Sequence, residues 1–333
     1  KLEAFSLLSS FIEEHAGNVL AHFLRGNIFL EFGQPEAALI DYGTCLAINP
    51  ELGPAYNNVG NCLLRLNRLP EAAEAYRKAA TCADPVHEAW FNLGVIQLDL
   101  GDVNGALESL NRHLTHKPHD AVAHVHRANG FSRKGDHAQA MECAKVALQH
   151  DPQNAEAFCV LGVANLEIKD LKAAIEHFTS ALKHTPTYLG AVIGRGLAYY
   201  QSHDLKSASD DFTHAIKIAP DNVNGYLNRG HTRMLMRDFK GASEDYAAII
   251  GRPDTPNFTE GDLMATKMQI CDWSNVETLG QTIEQKIAAG LPAATPFALL
   301  SFMDQPEIQK KCAQLVNHVR FPAKTDIEPI EHY

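Results

Sequence analysis

The chain has 333 residues, 45% of them hydrophobic, and carries a formal charge of -11 with a pI near 5.8. An acidic balance with no sustained run of Lys or Arg argues against nucleic acid or an anionic membrane as partner. No apolar run approaches the roughly 20 residues that span a bilayer, and no signal-type stretch opens the chain, so a cytoplasmic setting is expected, or a nuclear one in a eukaryote.

At the start, Leu2, Ala4, Phe5, Leu8, Phe11 and Ile12 fall at helical spacing. They fit the second helix of a helical hairpin, so residues 1–18 are predicted as a partial repeat or capping helix. Because the chain opens on Lys1 rather than Met, either native protein continues before it or the series begins with half a repeat.

From Val19 the same residue types recur every 34 residues. The eighth position of each repeat is Gly26, Gly60, Gly94, Ala128, Gly162, Gly196 and Gly230. The twentieth is Ala38, Ala72, Ala106, Ala140, Ala174, Ala208 and Ala242, and prolines such as Pro50, Pro118, Pro152, Pro186 and Pro220 close the repeats. Apolar residues at helical spacing flank a short polar turn, as in Phe158, Leu161 and Leu166, then Ala174, Phe178 and Ala181. Each repeat is therefore predicted as helix, turn, helix. The small residues let the two helices approach, and Tyr42, Tyr76, Phe178, Phe212 and Tyr246 fill the space between them. Gly33, Asn67, Gly101 and Gly135 suit the left-handed backbone that ends a helix. Seven repeats cover residues 19–256.

Repeats one to three, residues 19–120, are the most regular, with Tyr56, Tyr76 and Trp90 at bulky positions. Repeat four, residues 121–154, departs: Ala144 replaces an aromatic, Ala128 replaces Gly, and His124 stands where repeat three has Trp90. Looser packing is expected there. Repeats five to seven recover the pattern, and Arg195-Gly196 and Arg229-Gly230 repeat Arg25-Gly26.

After Pro256 the register is lost. Thr259 to Asp262, Ser274 to Glu277 and Asp304 to Glu307 have the form of capping boxes. They predict helices near 259–271, 275–289 and 305–318, joined by a loop over 290–296. Residues 257–320 form a helical extension in this scheme, and residues 321–333 an extended linker.

Period, small positions, aromatic positions and closing prolines together resemble the tetratricopeptide repeat. The resemblance implies an all-α fold, a right-handed superhelix (α-solenoid) with additional C-terminal helices, whose first helices line a concave groove. Cys271-Asp272-Trp273-Ser274, then a helix and Pro296-Phe297-Ala298-Leu299-Leu300, resembles the join between repeats and catalytic region in O-linked N-acetylglucosamine transferases and their Spindly-type relatives. A plain helical cap is the alternative. The resemblance implies two GT-B lobes beyond Tyr333 that carry the catalytic base and the UDP-sugar contacts. No catalytic residue and no cofactor is expected inside this chain, which has no P-loop, GxGxxG, nucleophile elbow or HExxH.

In that family, asparagines at the sixth position of successive repeats hold the main chain of an extended polypeptide, since the amide both donates and accepts. Here Asn58, Asn92 and Asn228 stand there, and Leu24, His126, Val160 and Gly194 interrupt the series. Asn27, Asn61 and Asn129 lie at the ninth position on the same helix face. The candidate peptide-binding residues are thus Asn27, Asn58, Asn61, Asn92, His126, Asn129 and Asn228. Arg65, Arg133 and Glu31 are expected to bias side-chain choice by charge. Solvated groove residues with no dedicated ligand are the alternative.

A carboxylate clamp fits poorly, because Phe23, Asn27, Asn58, Glu88 and Asn92 offer no basic partner and an uncompensated Glu88 would repel an anion. His113, His116, His119, His124 and His126 are spread too widely along two repeats to gather on one metal. The seven cysteines contain no CxxC and are expected as buried reduced thiols. The leading expectation is a superhelix that recognises polypeptide substrates for an O-linked glycosyltransferase; the alternative is a non-enzymatic scaffold that assembles partner proteins. Polypeptides are the expected partners, with no nucleic acid and no membrane, and homo-oligomerisation is left open.

Overall fold

The computed structural model describes residues 2–320, so the predicted linker over 321–333 lies outside the described residues. Among the described residues the regular structure is helical apart from one isolated bridge between Leu52 and Asp84. They divide into two compact units between Lys169 and Asp170, inside the predicted fifth repeat.

The first unit holds α1 (Leu2–Glu14), α2 (Val19–Glu31), α3 (Pro35–Ile48), α4 (Gly53–Arg65), α5 (Leu69–Thr81), α6 (Ala89–Asp99), α7 (Val103–His116), α8 (Ala121–Arg133), α9 (His137–His150) and α10 (Ala155–Glu167). Successive helices pack as antiparallel hairpins and each hairpin packs on the next. The second unit holds α11 (Leu171–His184), α12 (Leu189–Gln201), α13 (Leu205–Ile218), α14 (Val223–Leu235), α15 (Phe239–Ile249), α16 (Thr259–Gln269), α17 (Val276–Ala288), α18 (Pro296–Leu300) and α19 (Pro306–Arg320).

Local chemistry sets the ends. The second helix of a hairpin starts either on a proline in its first turn, as in α3 and α5, or behind an aspartate whose carboxylate accepts from a backbone N–H, as at Asp102, Asp136, Asp204 and Asp238. The turn between helices passes through the left-handed region at Gly33, Asn67, Gly101 and Gly135 (φ 56 to 81°). The same position is Lys169, His203 and Arg237, with φ of 60 to 66°, so the turn does not require glycine.

At the eighth position the small residue is a steric requirement. A Cβ added to Gly60 would lie 2.7 Å from the Tyr76 ring, and one on Gly196 2.7 Å from Phe212. The expected looseness of repeat four is not found. Ala128, Ala140, Ala144 and Ala147 are all fully buried in one cluster with Cys143 and Val160. Val125, Val160 and Leu161 enclose these alanines, and Phe131, Met141 and Leu148 pack against the cluster.

The capping boxes predicted before α16 and α17 are not formed. Phe258 and Asn275, both left-handed, precede the two helices and neither provides a side-chain cap. The Thr259 hydroxyl donates to Pro256 O at 2.7 Å instead, and the Ser274 hydroxyl to Asp272 Oδ1 at 2.6 Å. The loop after α17 supplies carbonyls to the start of α16: Phe258 N donates to Pro292 O at 3.0 Å and Gly261 N to Ala293 O at 2.9 Å. Met264, Ile283, Ile287, Ala294 and Leu299 form the core of this end, and α18 adds a short helix that the sequence reading did not predict.

Candidate functional site

On α2, α4 and α6 the polar face is a connected set of asparagines. Asn58 Nδ2 donates to Asn27 Oδ1 at 2.8 Å, Asn61 Nδ2 to Asn58 Oδ1 at 3.4 Å, and Asn92 Nδ2 to Asn57 Oδ1 at 3.4 Å. Two buried tyrosines set the orientation from behind. Tyr42 Oη donates to Asn27 Oδ1 at 2.6 Å, and Tyr76 Oη donates to Asn61 Oδ1 at 2.7 Å. Burial, with a smaller contribution from Cys62, pushes the Tyr76 hydroxyl up to about 12 and raises that of Tyr42 further. Both stay protonated and therefore remain donors. With their carbonyl oxygens engaged inward, Asn27 and Asn61 have N–H groups left to offer a ligand.

The other predicted residues are not part of that set. His126 packs edge-on against Phe91, with ring centroids 5.4 Å apart. Asn129 has no tyrosine behind it and turns to Glu156, Nδ2 to Oε1 at 2.9 Å. Asn228 belongs to the second compact unit, beside Leu197, Tyr200, Phe212 and His231 around a cavity of about 50 Å³. Asn57 was missed, although the run Asn57-Asn58 marks it.

One expectation about charge is corrected, and two arginines have a structural role beside the one expected of them. Arg65 and Arg133 donate to the backbone carbonyls of Leu30 and Leu98, 35 residues earlier. Each thus ties the end of one first helix to the next but one in sequence, which accounts for its placement without a ligand. Glu88 is not uncompensated: Lys117 Nζ lies 2.7 Å from its carboxylate and lowers its pKa.

The histidines pair locally. His113 Nε2 lies 2.9 Å from Asp120 Oδ2, His124 Nε2 2.9 Å from Pro118 O, and His119 Nδ1 3.3 Å from His150 Nε2, while His116 stacks on His87. Among the described residues no three metal-ligating side chains converge. Five cysteines are buried, but Cys82 is only half-buried and Cys271 is exposed, which corrects the expectation for those two.

In the second unit, the turn at Cys271 to Ser274 is fixed by Asp272. Its carboxylate accepts from Lys267 and Ser274, and these bonds hold its pKa well below the ordinary carboxylate range. Nearby, Trp273, Phe297 and Leu300 stand in solvent, Phe297 at 88% exposure. No helix among the described residues is long and apolar enough to cross a membrane.

Antiparallel helical hairpins stacked at a fixed 34-residue period define an α-solenoid class of repeat. The tetratricopeptide repeat family model matches residues 49–86, 60–121 and 127–188, about two fifths of the chain, and the all-α repeat architecture agrees with it. It is similar to the BBSome complex member BBS4 of Bos taurus, 27% identical over 156 residues, 47% of this chain and 30% of that protein. It is also similar to the protein O-mannosyl-transferase TMTC3 of Homo sapiens, 28% identical over 154 residues, 45% of this chain and 16% of that protein. The matched stretch spans less than a third of either relative. A solved tetratricopeptide repeat protein from Parabacteroides merdae superposes with a TM-score of 0.60 at 17% identity, covering 79% of this chain and 99% of that one. At that identity the likeness concerns fold alone.

Proposed function

We propose that this chain is a polypeptide-binding scaffold that assembles partner proteins, with Asn27, Asn61 and Asn92 holding the main chain of an extended segment and Asn58 bracing them through its bonds to Asn27 and Tyr42. The observation that carries this is the fixed orientation of the amides: Tyr42 and Tyr76 occupy Asn27 and Asn61 oxygens from behind. The face then offers donors, and main-chain carbonyls are the acceptors that every polypeptide supplies. Similarity to BBS4, by its name a member of a complex, supports an assembly role. Cytoplasmic or nuclear residence goes with this proposal, as does the absence of nucleic-acid and membrane partners; self-association is left to measurement.

The test is binding of a fluorescein-labelled, uncharged Ala/Ser peptide followed by anisotropy. Asn61→Ala with Asn92→Ala is expected to weaken binding about tenfold, as loss of two modest hydrogen bonds implies. Unchanged affinity in a folded double variant rejects the role.

A second reading is favoured by one feature, the turn at Cys271 to Ser274 followed by the exposed Phe297 and Leu300. In it the chain is the substrate-recognition region of an O-linked glycosyltransferase, and the UDP-sugar is bound by GT-B lobes outside the chain. Translating the native gene beyond Tyr333 separates the two: α/β lobes there support the transferase, and a nearby stop codon supports the scaffold.

A further inference from the structure

On α2 the asparagine face begins with an exposed apolar step. Leu24 stands at the position that Asn58 and Asn92 hold in the next two repeats, one turn from Asn27 on the same side of the helix. Leu20, four residues earlier, lies on that side as well. Leu20 is 64% exposed and Leu24 41%. Neither belongs to the core of the α2–α3 hairpin, where Phe23, Phe29 and Leu30 pack on Ala38, Tyr42 and Cys62. Their apolar surface is therefore left for something outside the hairpin.

Asn27 stands beside them. Its oxygen accepts from Tyr42 and Asn58, so its amide hydrogens remain to be offered to a main-chain carbonyl. In an extended chain successive residues advance about 3.3 Å and point to opposite sides. A chain held at Asn27 thus lays the side chain of that residue, or of its neighbour, over Leu20 and Leu24. The far end of the face differs. On α8 Val122 is exposed, but four residues on stands His126, edge-on to Phe91, and Asn129 is bonded to Glu156 at 2.9 Å. Among α2, α4, α6 and α8, two exposed apolar residues stand one turn apart on this side in α2 alone.

We propose that the α2 end of the asparagine face selects polypeptides with a large aliphatic side chain, such as leucine, at the residue that Asn27 holds or the one beside it. The inference rests on the asparagine face binding main chain. It adds which segments that face prefers and which end of them meets α2. An asparagine in place of Leu24 would supply a further amide and no apolar surface, so the interruption of the series at this position is itself the source of the preference.

The full chain is titrated by anisotropy with three fluorescein-labelled peptides: an uncharged Ala/Ser nonamer, the same with Leu at its second position, and the same with Leu at its eighth. One leucine peptide is expected to bind roughly tenfold more tightly than the parent, as burial of most of a leucine side chain implies. The other can reach Leu20 and Leu24 only by giving up Asn61 and Asn92, and is expected to stay within about twofold of the parent. Leu20→Ser with Leu24→Asn, both at exposed sites, is expected to bring the favoured peptide to the affinity of its parent. Should this variant lose its helical circular dichroism, Leu20→Ser alone is expected to leave a gain of about threefold. Asn61→Ala with Asn92→Ala is expected to weaken all three peptides about tenfold. Equal gains for both leucine peptides, no gain for either, or a full gain in the leucine variants overturns the inference and leaves main-chain binding standing. No binding of any of the three overturns both.

Discussion

The hairpins of α2–α5 and the α12–α13 hairpin fill the same inter-helix slot with different chemistry. In the first two the bulky residue is Tyr42 or Tyr76, each bonded to an asparagine, Asn27 or Asn61. In the third it is Phe212, fully buried, and the position corresponding to the asparagine is Leu197. A buried hydroxyl needs a partner and a phenyl ring does not. The tyrosine therefore calls for the asparagine, and the asparagine, once oriented, makes a polar face. Repeat four shows the converse: with Ala144 in the slot, Asn129 is released to Glu156.

What the two regions share gives the largest expected effect. Asp41 and Asp211 are buried beneath Arg25 and Arg195, and His22 also contacts Asp41 at 2.9 Å. Asp41→Ala or Asp211→Ala is expected to cost about 3–5 kcal/mol by leaving a partly buried guanidinium unpaired. Urea unfolding followed by circular dichroism measures it, and a cost near zero at both sites would contradict a structural role for the pair. Next, Gly60→Val forces a branched side chain into the Tyr76 ring and is expected to cost about 3 kcal/mol. Ala128→Gly, facing small Ala144, is expected to cost only about 1 kcal/mol.

The comparison is sharpened by moving the hydroxyl. Phe212→Tyr places it opposite Leu197 and is expected to cost about 2 kcal/mol, and adding Leu197→Asn should recover about half of that. An additive pair of costs would break the link between the two positions.

A pH effect should separate the same regions. Tyr76 is pushed up to about 12 by burial, from 10.0 as its ordinary value. The folded chain holds that proton more tightly, so the associated stability is present below pH 10 and is lost as pH rises toward 12. Alkaline unfolding monitored by tyrosinate absorbance should therefore be shifted upward in Tyr76→Phe.

Much of the fold was legible in the sequence because a repeat states its steric rule several times. Gly at the eighth position facing an aromatic recurs at Gly26, Gly60, Gly196 and Gly230, and the turn position recurs with it. The Arg–Asp pair was equally legible, since Asp41, Asp211 and Asp245 each follow an Arg-Gly pair; the run Asp210-Asp211 reads as a solvated carboxylate pair, whereas Asp211 is buried against Arg195. The failures come from places where a distant segment supplies what local pattern was expected to supply. At α16 the carbonyls of Pro292 and Ala293 take the role assigned to Thr259. At the asparagine face, nothing within one helix shows that Tyr42 and Tyr76 engage the Asn27 and Asn61 oxygens from a neighbouring helix.

The most direct measurement compares an extended Ala/Ser peptide with two analogues, one N-methylated at alternate residues and one with reduced amides that lack the carbonyls. If outward N–H groups of Asn27, Asn61 and Asn92 hold main-chain carbonyls, N-methylation should change affinity by no more than about twofold and carbonyl removal should weaken it about tenfold. Loss of binding on N-methylation, with the reduced-amide peptide bound normally, would contradict it.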